Sequence, residues 1–265
     1  MNLAPHEVHV WLAFDREVND PATLQAFEAL LSSEELATRA RLRAPHRPRQ
    51  YLVTRALLRS LLSAYVPGTQ ASQWRFEVGD NGKPALAPPF SAAGLHFNLA
   101  HTAGLVAIAL AREPALGVDV EHFVPRGPPL HVAPRYFTGA EAAALAALPA
   151  DQQAARFYAL WTLKESWLKA TGEGLAGGLD QVSFHFEDVR FASRSALPED
   201  RCGIWRFWQA MPSPDHLLAV ALCSGLEAVE VSLFRSEPGV DLRGSPLPAP
   251  RRVAPTSDQE QRTQS

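Results

Sequence analysis

The sequence predicts a mixed α/β protein, α+β in type, divided into two halves of similar size. Three observations predict it. Runs with strand and helix periodicity succeed one another through residues 1–115 and again through 116–235. A segment rich in Pro and Gly, residues 122–134, reads as a loop or a linker between the halves. Hydrophobic content of 46% over 265 residues can bury a core as one large domain or as two small ones packed together.

Residues 7–14 alternate well enough for a strand that ends at the turn Asn19-Asp20-Pro21. Residues 23–31 read as a helix. Ser32 or Ser33 caps the next one, whose first turn carries Glu34 and Glu35, favoured there by the helix dipole. Residues 39–59 are strongly basic and rich in helix formers, and residues 51–65 place Leu57, Leu58, Leu61 and Leu62 along one face. A strand at 74–78 then meets Asp80-Asn81-Gly82-Lys83-Pro84, where Asn-Gly signals a tight turn and Pro84 ends any continuing ladder. Residues 96–99 and 106–111 form strands joined by small residues, and 115–121 forms another. Helices follow at 140–148 and 152–171, the second closed by Gly172. Residues 182–186, 205–208 and 217–222 read as strands of a second sheet, with 229–234 as its last. From 236 to 265 the chain turns to Pro, Ser, Arg and Gln, too polar to offset its ordering entropy. It is expected to be a disordered tail whose removal leaves activity intact. The expected division is thus 1–115, 116–235 and the tail 236–265.

Composition excludes several classes. A formal net charge of −3 argues against general nucleic-acid binding, which needs a basic excess, though a local basic pocket remains compatible. No apolar run is long enough to span a bilayer, and residues 1–16 lack the pattern of a secretory signal, so a cytoplasmic protein is expected. Cys202 and Cys223 have no metal-like spacing. They allow one disulfide, although two cysteines suit a reduced intracellular protein better. Walker, dinucleotide-binding, zincin, C-x-x-C and nucleophile-elbow patterns are all missing.

Two acidic motifs carry chemistry. In Gly117-Val118-Asp119-Val120-Glu121, a strand would project Asp119 and Glu121 from one face, about 7 Å apart, with Val118 and Val120 turned the other way, into the core. Two carboxylates so placed need a compensating cation, and Mg²⁺, which takes a few carboxylates and keeps positions for water or phosphate, fits. Read alone, the pair is equally a solvated edge strand. In the helix of Trp161, Lys164, Glu165, Trp167 and Lys169, positions 161, 165 and 169 are successive i,i+4 neighbours. Glu165 and Lys169 are either a surface ion pair or, given the aromatic residues around them, a partly buried pair directed at a ligand. Lys83 is a hairpin-tip lysine or an anion contact. Asn98 and His101 flank a strand end, where a lone His is more often structural. Arg55 and Arg59, one turn apart, grip a phosphate or form a solvated face.

The order and spacing of these signals resemble those of the Sfp-type 4′-phosphopantetheinyl transferases. The resemblance runs from about Ser32 to about Leu222, through the run 51–59, Gly82-Lys83-Pro84, the run 97–101, the motif 117–121 and the run 157–172. It implies a pseudo-twofold pair of similar α/β subdomains with coenzyme A in the cleft between them. By the same resemblance, Arg59 and His101 match contacts to the nucleotide 3′-phosphate, Lys83 lies along the adenine and phosphate end, and Asn98 sits in the same coenzyme A-binding stretch. Asp119, Glu121 and Glu165 would hold Mg²⁺ against the pyrophosphate, and Lys169 would contact the transferred phosphate. Asp119, Glu165 and Lys169 are thereby the expected catalytic residues. The implied reaction moves phosphopantetheine from coenzyme A, the co-substrate, to a serine of an apo acyl, peptidyl or aryl carrier protein, releasing adenosine 3′,5′-bisphosphate. Glu165 or a metal-bound water would take the serine proton. Ala100 departs from the Ser that many relatives carry before the motif histidine. With two matched halves in one chain, a monomer is expected. The competing reading is a coenzyme A- or carrier-binding module without turnover, which would not need the full metal set.

Overall fold

A computed structural model of the chain describes residues 1–79, 82–123, 127–174, 178–187, 192–196, 203–236, 244–246 and 251–255. They form two units, Met1–Pro114 with Val229–Pro248, and Ala115–Ala228 with Ala249–Ser265.

In the first unit, strand β1 (Glu7–Ala13) leads to helix α1 (Pro21–Glu28), which Asp20 caps through the Thr23 amide with Pro21 in its first turn. Helix α2 (Ser33–Arg41) starts at a capping box: Ser32 accepts from the Glu35 amide while Glu35 accepts from the Ser32 amide. The long helix α3 (Arg47–Tyr65) follows after the break around Pro45. Strands β2 (Phe76–Val78) and β3 (Pro84–Leu86) form a separate hairpin. Its turn residues Asp80 and Asn81 lie outside the described residues. Pro84 opens β3 rather than ending a ladder, because a first-position residue in a two-stranded hairpin need not donate. Strands β4 (His96–Thr102) and β5 (Leu105–Ala111) make an antiparallel hairpin around Gly104, whose φ of +88° a side chain would oppose. The leucine face of α3 packs with Phe97, Val106, Ile108 and Leu110 of these strands to form the unit's core.

The second unit begins with β6 (Leu116–His122), the short α4 (Ala133–Tyr136), α5 (Gly139–Ala147) and the 22-residue α6 (Ala150–Thr171). Thr138 and Glu141 repeat the capping box at α5, and Gly172, in the left-handed region at φ +74°, closes α6. Strands β7 (Ser183–Phe186), β8 (Ala192–Ala196), β9 (Ile204–Ser213) and β10 (His216–Ser224) complete the body. Cys223, buried on β10, is disulfide-bonded, the state that the cysteine count did not favour. Cys202 lies outside the described residues.

The chain end departs from the expectation. Strand β11 (Glu230–Ser236), assigned from sequence to the second sheet, instead pairs in parallel with β1, giving the first-unit order β12-β11-β1-β5-β4. Buried Val231 and Leu233 fit a sheet face in either unit, so local alternation does not identify the partner. The tail contributes β12 (Gly244–Pro246), paired with β11, and β13 (Arg251–Pro255), paired with β9 and β8. The second sheet therefore runs β6-β10-β9-β13-β8-β7. Residues 237–243, 247–250 and 256–265 of the expected disordered tail lie outside the described residues. No helix among the described residues is long and apolar enough to cross a membrane.

Candidate active site

Gly117 decides where the acids sit. A Cβ there would stand 1.9 Å from the Ser166 carbonyl oxygen and 2.5 Å from the Ala170 amide nitrogen, so only glycine lets the backbone of α6 lie directly on β6. Asp119 and Glu121 follow Gly117 at strand period two and share its face, the one turned to the helix. Their cross-strand partners on β10, Ala219 and Leu217, belong to the unit's apolar core. The expectation had put Val118 and Val120 toward that core. They are buried on the opposite face, and the carboxylates occupy the seam between sheet and helix.

Asp119 is 6% exposed. Its Oδ1 accepts from Lys169 Nζ at 2.7 Å, while Oδ2 is buried without a partner among the described residues. Lys169 thus pairs across to the strand, and the surface ion pair with Glu165, one of the two readings of the helix, is not among the ion pairs of the described residues. Burial, and then the adjacent Asp119 carboxylate, push the Glu121 carboxyl up to about 7. Glu165 adds to that rise, whereas Lys169 and a hydrogen bond from Trp161 oppose it. Burial and then Asp119 also raise Glu165, again against Lys169. Trp161 stacks on Phe157 at 5.7 Å between ring centroids and meets Tyr136 edge-on at 5.6 Å, walling the cluster with aromatic surface.

An unsatisfied buried carboxylate oxygen beside two carboxyls that resist ionisation is a set a divalent cation would satisfy, and oxygen donors alone suit a hard ion. Oxygens of the three acids do not all approach within 4.8 Å of one another. Among the described residues, only the more exposed group His6, Glu7 and Glu230 does so. At that spacing the three side chains would have to close in to ligate one Mg²⁺, whose oxygens lie about 2.0–2.1 Å from it.

Lys164, one residue before Glu165, takes the other side of α6. It is fully buried, 2.8 Å from Glu141, and donates to the carbonyls of Leu179 (2.8 Å) and Val182 (2.5 Å). Burial lowers its pKa and Glu141 partly restores it. The motif lysine is a clamp on the fold.

In the first unit the expected residues scatter. Arg59 is 2% exposed. Its guanidinium is taken up by Glu35 (2.8 Å) and by the carbonyls of Ala71 (2.9 Å) and Trp74 (3.1 Å). A phosphate grip by Arg59 is not what this geometry offers, because Glu35, itself held by the α2 capping box and by Arg55, already neutralises it. Lys83 donates to the Pro114 carbonyl at 3.2 Å, and burial lowers its pKa to about 8. Asn98 and His101 both lie on β4 but at opposite parity, so they face opposite sides of the sheet. Asn98 is buried and His101 is exposed at the strand end. Arg49, not singled out from sequence, lies near that end too, with Nη1 donating to Asn19 Oδ1 at 2.9 Å. The next residue, Gln50, donates to the Thr102 carbonyl at 2.6 Å, bringing the start of α3 to His101's end of β4. Arg49 Nε is buried without a partner among the described residues. The basic run 39–59 was the signal, but its individual residues could not be separated.

The profile of the 4′-phosphopantetheinyl transferase superfamily matches residues 115–221. The 4′-phosphopantetheinyl transferase HetI of Nostoc sp. (strain PCC 7120) is 32% identical over 223 residues, 84% of this chain and 90% of its own length. The chain belongs to the 4′-phosphopantetheinyl transferase superfamily. A putative 4′-phosphopantetheinyl transferase of Synechocystis sp. (strain PCC 6803) is 32% identical over 81% of this chain and 87% of its own length. The 4′-phosphopantetheinyl transferase Sfp of Bacillus subtilis (strain 168) is 36% identical over 127 residues, 48% of this chain and 54% of its own. The transferase profile spans Gly117, all three acids and Lys169, the residues that the contact of α6 with β6 assembles.

Proposed function

We propose that this transferase moves 4′-phosphopantetheine from coenzyme A to a serine hydroxyl of an apo acyl, peptidyl or aryl carrier protein, with Mg²⁺ held by Asp119, Glu121 and Glu165. The observation that carries the reading is the Asp119 carboxylate, sealed between helix and strand with one oxygen on Lys169 and the other unsatisfied beside two destabilised carboxyls. Mg²⁺ at such a site supplies neutralisation of the pyrophosphate charge that grows as the phosphoryl group transfers.

The chain's own groups supply the rest. We assign Glu165 as the general base that takes the serine proton. The serine oxygen bonds to the phosphorus that carries pantetheine, the bridging P–O bond breaks, and adenosine 3′,5′-bisphosphate leaves with the electron pair. Lys169, about one-third exposed beside Asp119, adds positive charge next to the reacting phosphate. Lys83, His101 and Arg49 in the first unit are assigned to the nucleotide end, and Asn98 to the same stretch. Trp161 and Phe157 exclude water from the acids and so strengthen these charge interactions. We place the reaction in the cytoplasm, where coenzyme A and carrier proteins meet, with the chain as a monomer. The disulfide at Cys223 bears on that placement, and thiol titration of protein alkylated on lysis measures it.

The test is incubation with coenzyme A, Mg²⁺ and a panel of apo-carriers. A mass gain of one phosphopantetheine on a carrier serine is expected, falling by about a hundredfold or more in Asp119→Ala and Glu165→Ala. No gain on any carrier rejects the reaction. Near-normal rates in Asp119→Ala reject the metal assignment.

A further inference from the structure

The parallel pairing of β1 with β11 sets Glu7 directly opposite Glu230, with both side chains on one face of the sheet. Like charges so placed repel, and among the described residues no Lys or Arg pairs with either. His6 completes the group. One ring nitrogen of His6 and one carboxylate oxygen from each glutamate all lie within 4.8 Å of one another. Backbone hydrogen bonds fix where the three side chains start. The Glu230 amide donates to the His6 carbonyl at 2.9 Å, and the Glu7 amide closes a turn on the Ala4 carbonyl at 3.0 Å. The Glu7 carboxylate in turn accepts from the Ala4 amide at 2.7 Å.

Behind Glu7 a hydrogen-bonded chain runs into the unit's core. Trp11 Nε1 donates to the Tyr65 hydroxyl at 3.0 Å, so the hydroxyl's own proton goes to His9 Nδ1, 2.6 Å away. His9 is therefore neutral with its proton on Nε2, and that nitrogen lies 3.6 Å from Glu7 Oε2. Burial, opposed by Glu7, lowers the His9 pKa and favours the same form. A ring held in one tautomer beside a carboxylate is the kind of outer partner that orients a metal ligand.

We propose that His6, Glu7 and Glu230 form a zinc-binding site that ties β11 to β1. An imidazole nitrogen with two carboxylate oxygens suits Zn²⁺, with water in the fourth position, and disfavours Mg²⁺, which prefers oxygen alone. Ligand atoms about 2.0–2.2 Å from a tetrahedral zinc stand about 3.4 Å apart, so a set already within 4.8 Å closes by side-chain rotation of about an ångström. The exposure of His6 and Glu230 permits that rotation. The ion neutralises the opposed carboxylates and links the first strand to one from near the far end of the sequence. The site lies wholly in the first unit and shares no residue with the acids of the second.

The experiment uses the full chain, stripped of metal with chelator, and Zn²⁺ as the probe in excess Mg²⁺, which fills any oxygen-only site. Isothermal titration calorimetry reads the affinity, and scanning calorimetry reads the melting temperature. Wild type is expected to bind Zn²⁺ and to melt about 5 °C higher at a hundredfold excess of Zn²⁺ over Kd. His6→Gln and Glu230→Gln are each expected to weaken binding about tenfold or more and to remove the rise, with carrier loading unchanged. Asp119→Ala, which alters the acid cluster of the second unit, keeps both the binding and the rise. If circular dichroism shows either first-unit variant unfolded, Glu7→Gln carries the same expectation. Wild type that binds no Zn²⁺ overturns the proposal. Binding that survives intact in His6→Gln and Glu230→Gln, or that disappears in Asp119→Ala, also overturns it. Zinc binding in the expected pattern, without carrier loading by any protein, rejects the transferase reading and leaves the zinc site standing.

Discussion

At the residue scale, charge burial governs what this protein does with pH. Glu121 holds its proton to about 7 in the fold against 4.5 for the free group. The folded state thus binds the proton more tightly than the unfolded one, and the associated stability is present below about pH 4.5 and is lost as pH rises through about 7. Glu165 works in the same direction. Without divalent cations, the melting temperature is expected to fall across that window, and Glu121→Gln should flatten the decline when followed by circular dichroism. Cation binding runs oppositely, since the carboxylates must be ionised to ligate, so less Mg²⁺ should be needed as pH rises through about 7. Two arginines are separable at the same scale. Arg59→Ala leaves buried Glu35 with Arg55 as its one ion-pair partner and is expected to cost about 3 kcal/mol in urea unfolding. Arg49→Ala should leave stability nearly unchanged and raise the KM for coenzyme A. A raised KM in Arg59→Ala at unchanged stability would restore the phosphate role inferred from sequence.

At the element scale, the contact between α6 and β6 is the construction on which the site depends. Gly117→Ala drives a methyl group into the Ser166 carbonyl and must separate helix from strand, at an expected cost of about 3 kcal/mol or more. Because Lys169 reaches Asp119 only while the two are in contact, carrier loading should fall further than the unfolded fraction accounts for. Mass spectrometry of loaded carrier, set against denaturant unfolding of the same variant, separates the two losses. Much of this element pair is legible in sequence. Period two places Asp119 and Glu121 together, period 3.6 aligns Trp161, Glu165 and Lys169, and Gly172 marks the helix end. The partner of Lys169 is not legible, because a helix stripe specifies which residues are neighbours but not what lies opposite them.

At the scale of the whole molecule, the end of the chain is threaded back into both sheets. Strand β11 sits beside β1, and β13 lies between β9 and β8. Truncation after Ser236, harmless on the sequence reading, removes β12 and β13 and leaves the ladder edge of β9 at Phe207, Trp208 and Gln209 unpaired. The truncated chain is expected to melt several degrees lower and to aggregate more readily, as scanning calorimetry and light scattering will register. An unaltered melting temperature would return the tail to the disordered class.

The sequence by itself determined the mixed class, the capped helices and the acids that share a strand face, all of which follow from periods and caps spanning a few residues. The tertiary structure alone decided that Lys169 answers Asp119, that Lys164 and Arg59 are sealed into the fold, and that residues 230–236 join the first strand. Those outcomes depend on which distant surfaces meet and which buried charges have already found a counter-ion, and no local pattern encodes either.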